Sequence, residues 1–298
     1  LAYARFVAIA TKIKQEIAEK HILAPYESNL IPLPHQILVL EKVMQGVQTR
    51  FMLADEVGMG KTIEAGLVLK EKKLRGEVKR ILLVVPKSAM LQWQSEMKEH
   101  FAENFFIYDS DLITSMAKTF ASFDAEEELN FWRQHNQIIV SIDALKPIES
   151  RQGWNQERVD AYNKYRLEMV VNADFDMVII DEAHRMGGSS TSVSRFKMAE
   201  VLCNAVPNLL LLTATPHRGK SDHFRRLLQL MGADAFSGEG MPWVEDIQPY
   251  VMRSEKRFAV DYDGKKLFNE RTTVRLDVLL DPVRHAAQIA LYDHITDY

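Results

Sequence analysis

Residues 50–69 read RFMLADEVGMGKTIEAGLVL. An apolar run from Phe51 to Ala54 leads into a turn bearing Gly58 and Gly60, then Lys61-Thr62, then Ile63, Leu67 and Leu74 on one helical face. Strand, glycine loop, Lys-Thr and helix, in that order, form the context a phosphate-binding loop requires. Glycines let backbone N–H groups wrap inward around an anion, and the helix N-terminus adds its positive dipole end. Lys61 would reach the β- and γ-phosphates of a nucleotide, and the Thr62 hydroxyl would bind Mg²⁺. The strict pattern G-x-x-x-x-G-K-T has its first glycine at 55, where this chain carries Asp55. Taken alone, the loop therefore also fits a strand-to-helix turn with an exposed lysine.

Two later stretches bear on that alternative. Met177 to Ile180 run straight into Asp181-Glu182-Ala183-His184. An apolar strand ending in two carboxylates puts them at the carboxyl edge of a parallel sheet, where open α/β folds hold ligands. Asp181 would take Mg²⁺ and Glu182 would orient or deprotonate an attacking water. Helix capping explains an Asp-Glu pair equally well in isolation, but much less well beside a phosphate loop. Leu209 to Leu212 likewise end in Thr213-Ala214-Thr215-Pro216-His217-Arg218-Gly219. These hydroxyls could sense the γ-phosphate and its metal through the carboxylates, although a plain strand-to-turn reading also fits. Gln36, about 25 residues ahead of Lys61, offers one donor and one acceptor and could read an adenine edge; an ordinary surface role is the alternative.

Elements that could position these groups alternate along the chain. RILLVVP (80–86) reads as a strand buried on both faces of a parallel sheet, and Ser88 is placed to cap a helix holding Leu91, Trp93 and Met97. A short strand is expected at Phe105–Tyr108, an acidic exposed helix at Glu126–His135, and a buried strand from Gln137 to Ile142. Tyr162, Tyr165 and Met169 share a helical spacing that suggests core, and a helix follows from Asp222 to Leu230. Ahead of all this, Phe6, Ile9, Ile13 and Ile17 mark an amphipathic helix in residues 1–24. Past Gly240 the alternation weakens, and the charged segments at 253–257 and 261–266 suggest a linker. The fold class is α/β, a mostly parallel sheet with helices on both faces.

Composition sets outer bounds. With 298 residues, 47% of them hydrophobic, the chain can fill one large or two modest domains. No apolar run reaches transmembrane length and no signal peptide opens the chain, so it reads as soluble and without a membrane partner, and its single cysteine fits a reducing cytoplasm. The first residue is Leu and the end breaks off in a helical pattern, so a longer parent is expected. One cysteine, Cys203 in an apolar helical pattern, excludes a disulfide framework and reads as a buried thiol. A net charge of −4 leaves any nucleic-acid surface to a local groove.

In their order, LPHQ (33–36), LADEVGMGKTIEAG (53–66), LLVVPKSAMLQW (82–93), SIDAL (141–145), DEAH (181–184) and LLLTATPHRG (210–219) resemble the first lobe of a superfamily 2 helicase core. The branch they resemble is the Swi/Snf-like translocases, where Asp-Glu before the glycine loop is usual. TATPHRG looks most like the bacterial RapA-type subgroup, and the tail from residue 251 is similar to the connector of bacterial relatives, including those of DISARM phage defence. The resemblance implies a RecA-like P-loop lobe at 31–240, an N-terminal helical extension at 1–30, and a connector at 241–298 leading to a second lobe. It implies ATP and Mg²⁺ as cofactors, held by Gln36, Asp55, Glu56, Val57, Gly58, Met59, Gly60, Lys61 and Thr62, with Thr62 and Asp181 on the metal. Lys61, Asp181 and Glu182 would be catalytic. Pro86, Lys87, Ser88, Ser141, Ile142 and Asp143 would line a DNA-backbone path, and His184, Thr213, Ala214 and Thr215 would couple the two sites.

The implied function is an ATP-dependent motor on duplex DNA, independent of sequence, in a bacterial or archaeal cytoplasm and associated with the nucleoid. Transcription-complex recycling and antiviral defence are the two settings the resemblance offers. A strand-separating helicase or a restriction motor subunit is the nearer alternative, and a nucleotide-switched DNA- or protein-binding scaffold is the alternative of another class. Family members take arginine fingers from the second lobe, so this chain alone should hydrolyse ATP very slowly. Arg218 and Arg253 are not expected to replace those fingers.

Overall fold

The apolar runs singled out above become strands because every residue in them can be buried on one face or the other. β1 (Arg50–Leu53), β2 (Ile81–Val85), β3 (Phe106–Tyr108), β4 (Gln137–Ser141), β5 (Met177–Ile180), β6 (Asn208–Leu212) and β7 (Val251–Met252) form one sheet in the order β3-β4-β2-β5-β6-β1-β7. Every strand pairing is parallel. The computed structural model describes residues 22–46, 49–121, 130–187, 194–216, 221–232, 236, 242–269, 274 and 281–296. The expected helix in residues 1–24 falls almost wholly outside them.

Side chains alternate across each strand. Met52, Leu82, Val84, Ile138, Val140, Val178, Ile180, Leu209 and Leu211 enter one core. Phe51, Leu53, Ile81, Leu83, Val85, Ile139, Met177, Ile179, Leu210 and Leu212 enter the other. Helices cover both. α1 (Pro34–Met44), α2 (Lys61–Leu74) and α3 (Met90–Phe101) contribute buried apolar side chains to the second core. α4 (Ser110–Ala121), α6 (Gln156–Val171), α7 (Ser194–Asn204) and α8 (Ser221–Leu230) contribute to the first, and the four-residue α5 (Ile142–Leu145) follows β4 directly. α2 and α3 approach closely at Gly66, where a Cβ would lie 2.1 Å from the Phe101 ring.

Several local expectations change. Ser88 does not cap α3: residues Lys87–Ala89 form a 3₁₀ turn, and the helix starts at Met90 without a side-chain cap. Of the acidic helix expected at 126–135, residues 126–129 are outside the described set, while Phe131–Arg133 make a 3₁₀ turn whose Phe131 and Trp132 are buried. Aromatic mass there fills the core, which overrides the acidic pattern. The stripe on α6 is core only at Met169; Tyr165 stays 48% exposed, and Tyr162 packs edge-on against Trp154. The charge-rich stretch after 240 is more than a linker, because β7 completes the sheet edge beside β1. Cys203 is fully buried in α7, and burial pushes its thiol up to about 12.

The chain divides into a unit ending at Leu267 and a second, Phe268–Tyr298, whose described part contains helix α10 (Ala286–Thr296). Short helix α9 (Val244–Ile247) belongs to the first. Among the described residues no helix is long and apolar enough to cross a membrane.

Candidate nucleotide site

Because all strands are parallel, the residues that follow them gather at one edge: Asp55, Pro86, Ile142, Asp181 and Thr213. At the end of β1 the loop turns through Gly58 (φ 82°) and Gly60 (φ 91°) into α2. Gly60 is the N-cap of α2 in the left-handed region, which favours glycine. A Cβ there would also lie 2.4 Å from Gln36 Nε2. The loop thus leads straight into the N-terminus of α2, and Lys61 begins the helix. Its ammonium donates to the carbonyls of Asp55 (2.7 Å) and Glu56 (3.3 Å).

Gln36 and Asp55 are placed beneath the loop. The Gln36 amide accepts from Leu33 N (2.9 Å) and donates to Met59 O (3.2 Å), while His35 Nε2 lies 2.9 Å from the same carbonyl. The donor end of Gln36 thus holds the loop at Met59, while its acceptor end caps the start of its own helix at Leu33. Asp55 is fully buried and its Oδ1 accepts from Ser254 N at 2.6 Å. Below it, Glu64 of α2 is also fully buried. Burial first, then the negative charge and hydrogen bond of Asp55, hold the Glu64 carboxyl well above the usual carboxylate range, against the pull of Lys61. Asp55 Oδ2 and both Glu64 oxygens have no other hydrogen-bond partner among the described residues. His35, Asp55 and Glu64 each bring a polar atom to within 4.8 Å of the others.

The carboxylates stand where the sequence puts them. Asp181 caps the end of β5, its N–H bonded to Val84 O (2.9 Å), and its Oδ1 accepts from Glu182 N (2.8 Å). Its Oδ2 accepts the indole N–H of Trp93 at 3.0 Å. Glu182 adopts φ 49°, a left-handed conformation unusual for a glutamate and held by its surroundings. Its Oε2 lies 3.0 Å from His184 Nδ1, and the same nitrogen lies 3.2 Å from Thr213 Oγ1. Thr213 Oγ1 in turn accepts from Thr215 N at 3.2 Å, and Thr213 N bonds to Leu53 O at the start of the phosphate loop. One side-chain chain therefore runs from Glu182 through His184 to the Thr213–Thr215 turn, with Ala214 between. Residues 217–220, including Arg218, lie outside the described set.

The nucleic-acid path residues divide. Lys87 and Ser88 are exposed at the end of β2, whereas Pro86 is buried. Ser141 spends its hydroxyl on Ala144 N (3.1 Å) as the cap of α5, and Ile142 is buried. Asp143 is exposed but ion-paired with Arg195 at 3.2 Å, which screens a charge that would repel phosphate.

Sequence reasoning missed Trp93, Glu64, His35 and the Ser254 contact. Glu64 left a trace, since it shares with Leu67, Val68 and Glu71 a helix face that is otherwise buried. Ser254 left none, because its partner is 199 residues away.

A parallel α/β sheet with a glycine loop, an acidic pair and a threonine turn at one edge has the layout of a RecA-like P-loop lobe. The SNF2-related domain family matches residues 35–270, and the chain belongs to that family. RNA polymerase-associated protein RapA of Vibrio vulnificus (strain YJ016) is 32% identical over 269 residues, covering 89% of this chain and 25% of the relative. RapA of Actinobacillus succinogenes is 36% identical over 206 residues, covering 68% of this chain and 19% of the relative. The chain thus spans about a fifth to a quarter of the length of these curated relatives. Among solved structures, the Sulfolobus solfataricus SWI2/SNF2 ATPase core in complex with dsDNA has a TM-score of 0.58 at 19% identity, covering 79% of this chain and 47% of that one. That likeness is one of fold.

Proposed function

We propose that this chain is the ATP-binding lobe of a motor that moves along duplex DNA without separating its strands. The observation that carries the reading is the Glu182–His184–Thr213–Thr215 chain, which joins the acidic pair to a turn bonded at its root to the phosphate-loop strand. Loop amides and the α2 N-terminus would bind the phosphates, with Lys61 leaving its loop carbonyls for the β- and γ-oxygens. Thr62 and Asp181 offer only oxygen donors, which suit Mg²⁺, and Trp93 fixes the Asp181 carboxylate. When bound, that ion would neutralise charge developing on the phosphates. Glu182, steered by His184, would orient the attacking water and take its proton. Gln36 and Asp55 support the loop from below in this reading, with adenine contact by Gln36 requiring release of the Met59 carbonyl.

Lys87 and Ser88, with the backbone near Pro86 and around Ser141 to Asp143, would meet the DNA backbone; such contacts position a duplex without reading its sequence. Residues 31–240, with β7 from the stretch 241–298 completing the sheet, would carry the lobe, and the rest of that stretch would lead toward a second lobe that supplies the arginine fingers. Residues 1–298 alone would then turn ATP over very slowly. The description of the relatives as RNA polymerase-associated supports a transcription setting over phage defence.

The test is ATP hydrolysis by the protein carrying both lobes, with no DNA, single-stranded DNA or duplex, beside Lys61→Ala. Strong stimulation by duplex, lost in Lys61→Ala, is the expected result. Efficient strand displacement would make it a helicase instead. No response to any DNA, with biological activity kept in Lys61→Ala, would make the pocket a switch on a scaffold.

A further inference from the structure

We propose that Lys256 is a second cation for the nucleotide's phosphate chain, delivered by a strap, residues 251–258, stitched along the phosphate loop. The inference rests on the reading of that loop as a nucleotide site. The strap begins as β7, in register with β1 at Met52↔Val251 and Leu53↔Met252. Beyond the strands the pairing continues along the loop itself, with Ala54 N donating to Met252 O (2.7 Å) and Glu56 N to Ser254 O (3.3 Å). Loop side chains complete it: Asp55 Oδ1 accepts from Ser254 N (2.6 Å) and Glu56 Oε2 from Lys256 N (3.1 Å).

Two adjacent carboxylates in a loop meant for a polyanion are an electrostatic liability. Here both are turned onto backbone N–H groups of the strap, and the strap brings a positive charge in return. Lys256 Nζ lies 3.6 Å, and its Cε 3.9 Å, from the point where a Cβ on Gly58 would be. Gly58 is in the middle of the loop that leads to Lys61, so the ammonium stands against the backbone of the loop that would hold the phosphates. With Asp55 and Glu56 held by the strap, Lys61 at the carbonyls of Asp55 and Glu56 and Lys256 beside Gly58 both bring a positive charge to the loop. An ammonium acts on phosphate as a point charge and needs no fixed fork, which suits a lysine beside the loop.

The experiment is titration of the full chain with ATP, ADP and AMP in the presence of Mg²⁺, by calorimetry, for wild type, Lys61→Ala, Lys256→Met, Lys256→Gln and Lys256→Arg. Thermal unfolding midpoints are recorded for each. Lys256→Met and Lys256→Gln are expected to weaken ATP and ADP about tenfold, in line with one lost charge contact, while AMP binding changes little. Lys256→Arg keeps most of the ATP affinity. Unchanged ATP binding in both neutral variants, an equal loss for AMP, or failure of Lys256→Arg to rescue would each overturn the proposal while leaving the nucleotide site intact. If wild type binds none of the three nucleotides, the nucleotide reading itself falls and this inference with it.

Discussion

The two edges of the sheet are built on opposite terms. At the amino edge, polar groups are saturated by one another. Arg50 donates to the carbonyls of Met231 (2.7 Å), Val206 (2.7 Å), Cys203 (2.9 Å) and Leu230 (3.2 Å). Arg80 reaches the carbonyls of Ala173 and Trp132 and the Asn136 amide, Asp176 accepts from the N–H groups of Lys79 and Arg80, and Asn208 bridges Thr49 N to Asp176 O. The buried Thr49 hydroxyl is the exception. At the carboxyl edge, Asp55 Oδ2, both Glu64 oxygens and His35 Nδ1 are buried and, the Asp55–Glu64 carboxyl contact apart, have no hydrogen-bond partner among the described residues. Helix α2 spans the contrast: Glu71 receives Leu23 N, Ala24 N and Arg75 Nε, whereas Glu64, seven residues earlier, has only another carboxyl. One edge is satisfied at the starts of β1, β2 and β6, the Thr49 hydroxyl apart, because it holds the chain together. The other keeps strain and unsatisfied polarity, which persist where a site must receive something else.

The comparison can be broken by substitution. Glu182→Gln should lower duplex-stimulated hydrolysis by about two to four orders of magnitude, the range of a lost general base, while ATP affinity and unfolding midpoint stay close to wild type. A comparable loss of stability would place Glu182 with the structural edge. Arg50→Met should do the reverse: four carbonyls lose a charged donor, and stability falls by about 2–3 kcal/mol in urea unfolding at constant m-value, with nucleotide affinity of the folded protein unchanged. Weakened ATP binding there would mean that the edges are not separable. The smallest effect is expected for Trp93→Phe, which removes the indole donor from Asp181 Oδ2. The rate should fall about five- to tenfold, equivalent to roughly 1 kcal/mol, with the Mg²⁺ requirement shifted to higher concentration. An unchanged Mg²⁺ dependence would make Trp93 a packing residue only.

What was legible followed from periodicity and local chemistry. Met177–Ile180 and Leu209–Leu212 are uniformly apolar, so they had to be strands covered on both sides, and the polar residues after them had to emerge at an edge. Gly60 before Lys61-Thr62 fixed a left-handed turn into a helix. Errors arose where a local pattern competed with burial. Ser88 had capping chemistry, but Lys87–Ala89 wind into a 3₁₀ turn first. Glu126–His135 looked acidic and exposed, yet Phe131 and Trp132 are drawn into the core.

By itself, then, the sequence determined the parallel α/β lobe, the loop at 55–62 and the acidic pair at 181–182, since each depends on residues adjacent in the chain. Only the tertiary structure decided that Trp93 holds Asp181, that Glu64 and His35 lie beneath the loop, and that residues 251–258 run along it. Those contacts join residues from nine positions apart, Asp55 and Glu64, to about 200, as in Ser254 to Asp55 at a separation of 199. No local propensity encodes such a pair; it exists because closing the sheet brings β7 beside β1 and leaves two loop carboxylates facing the N–H groups of the strap.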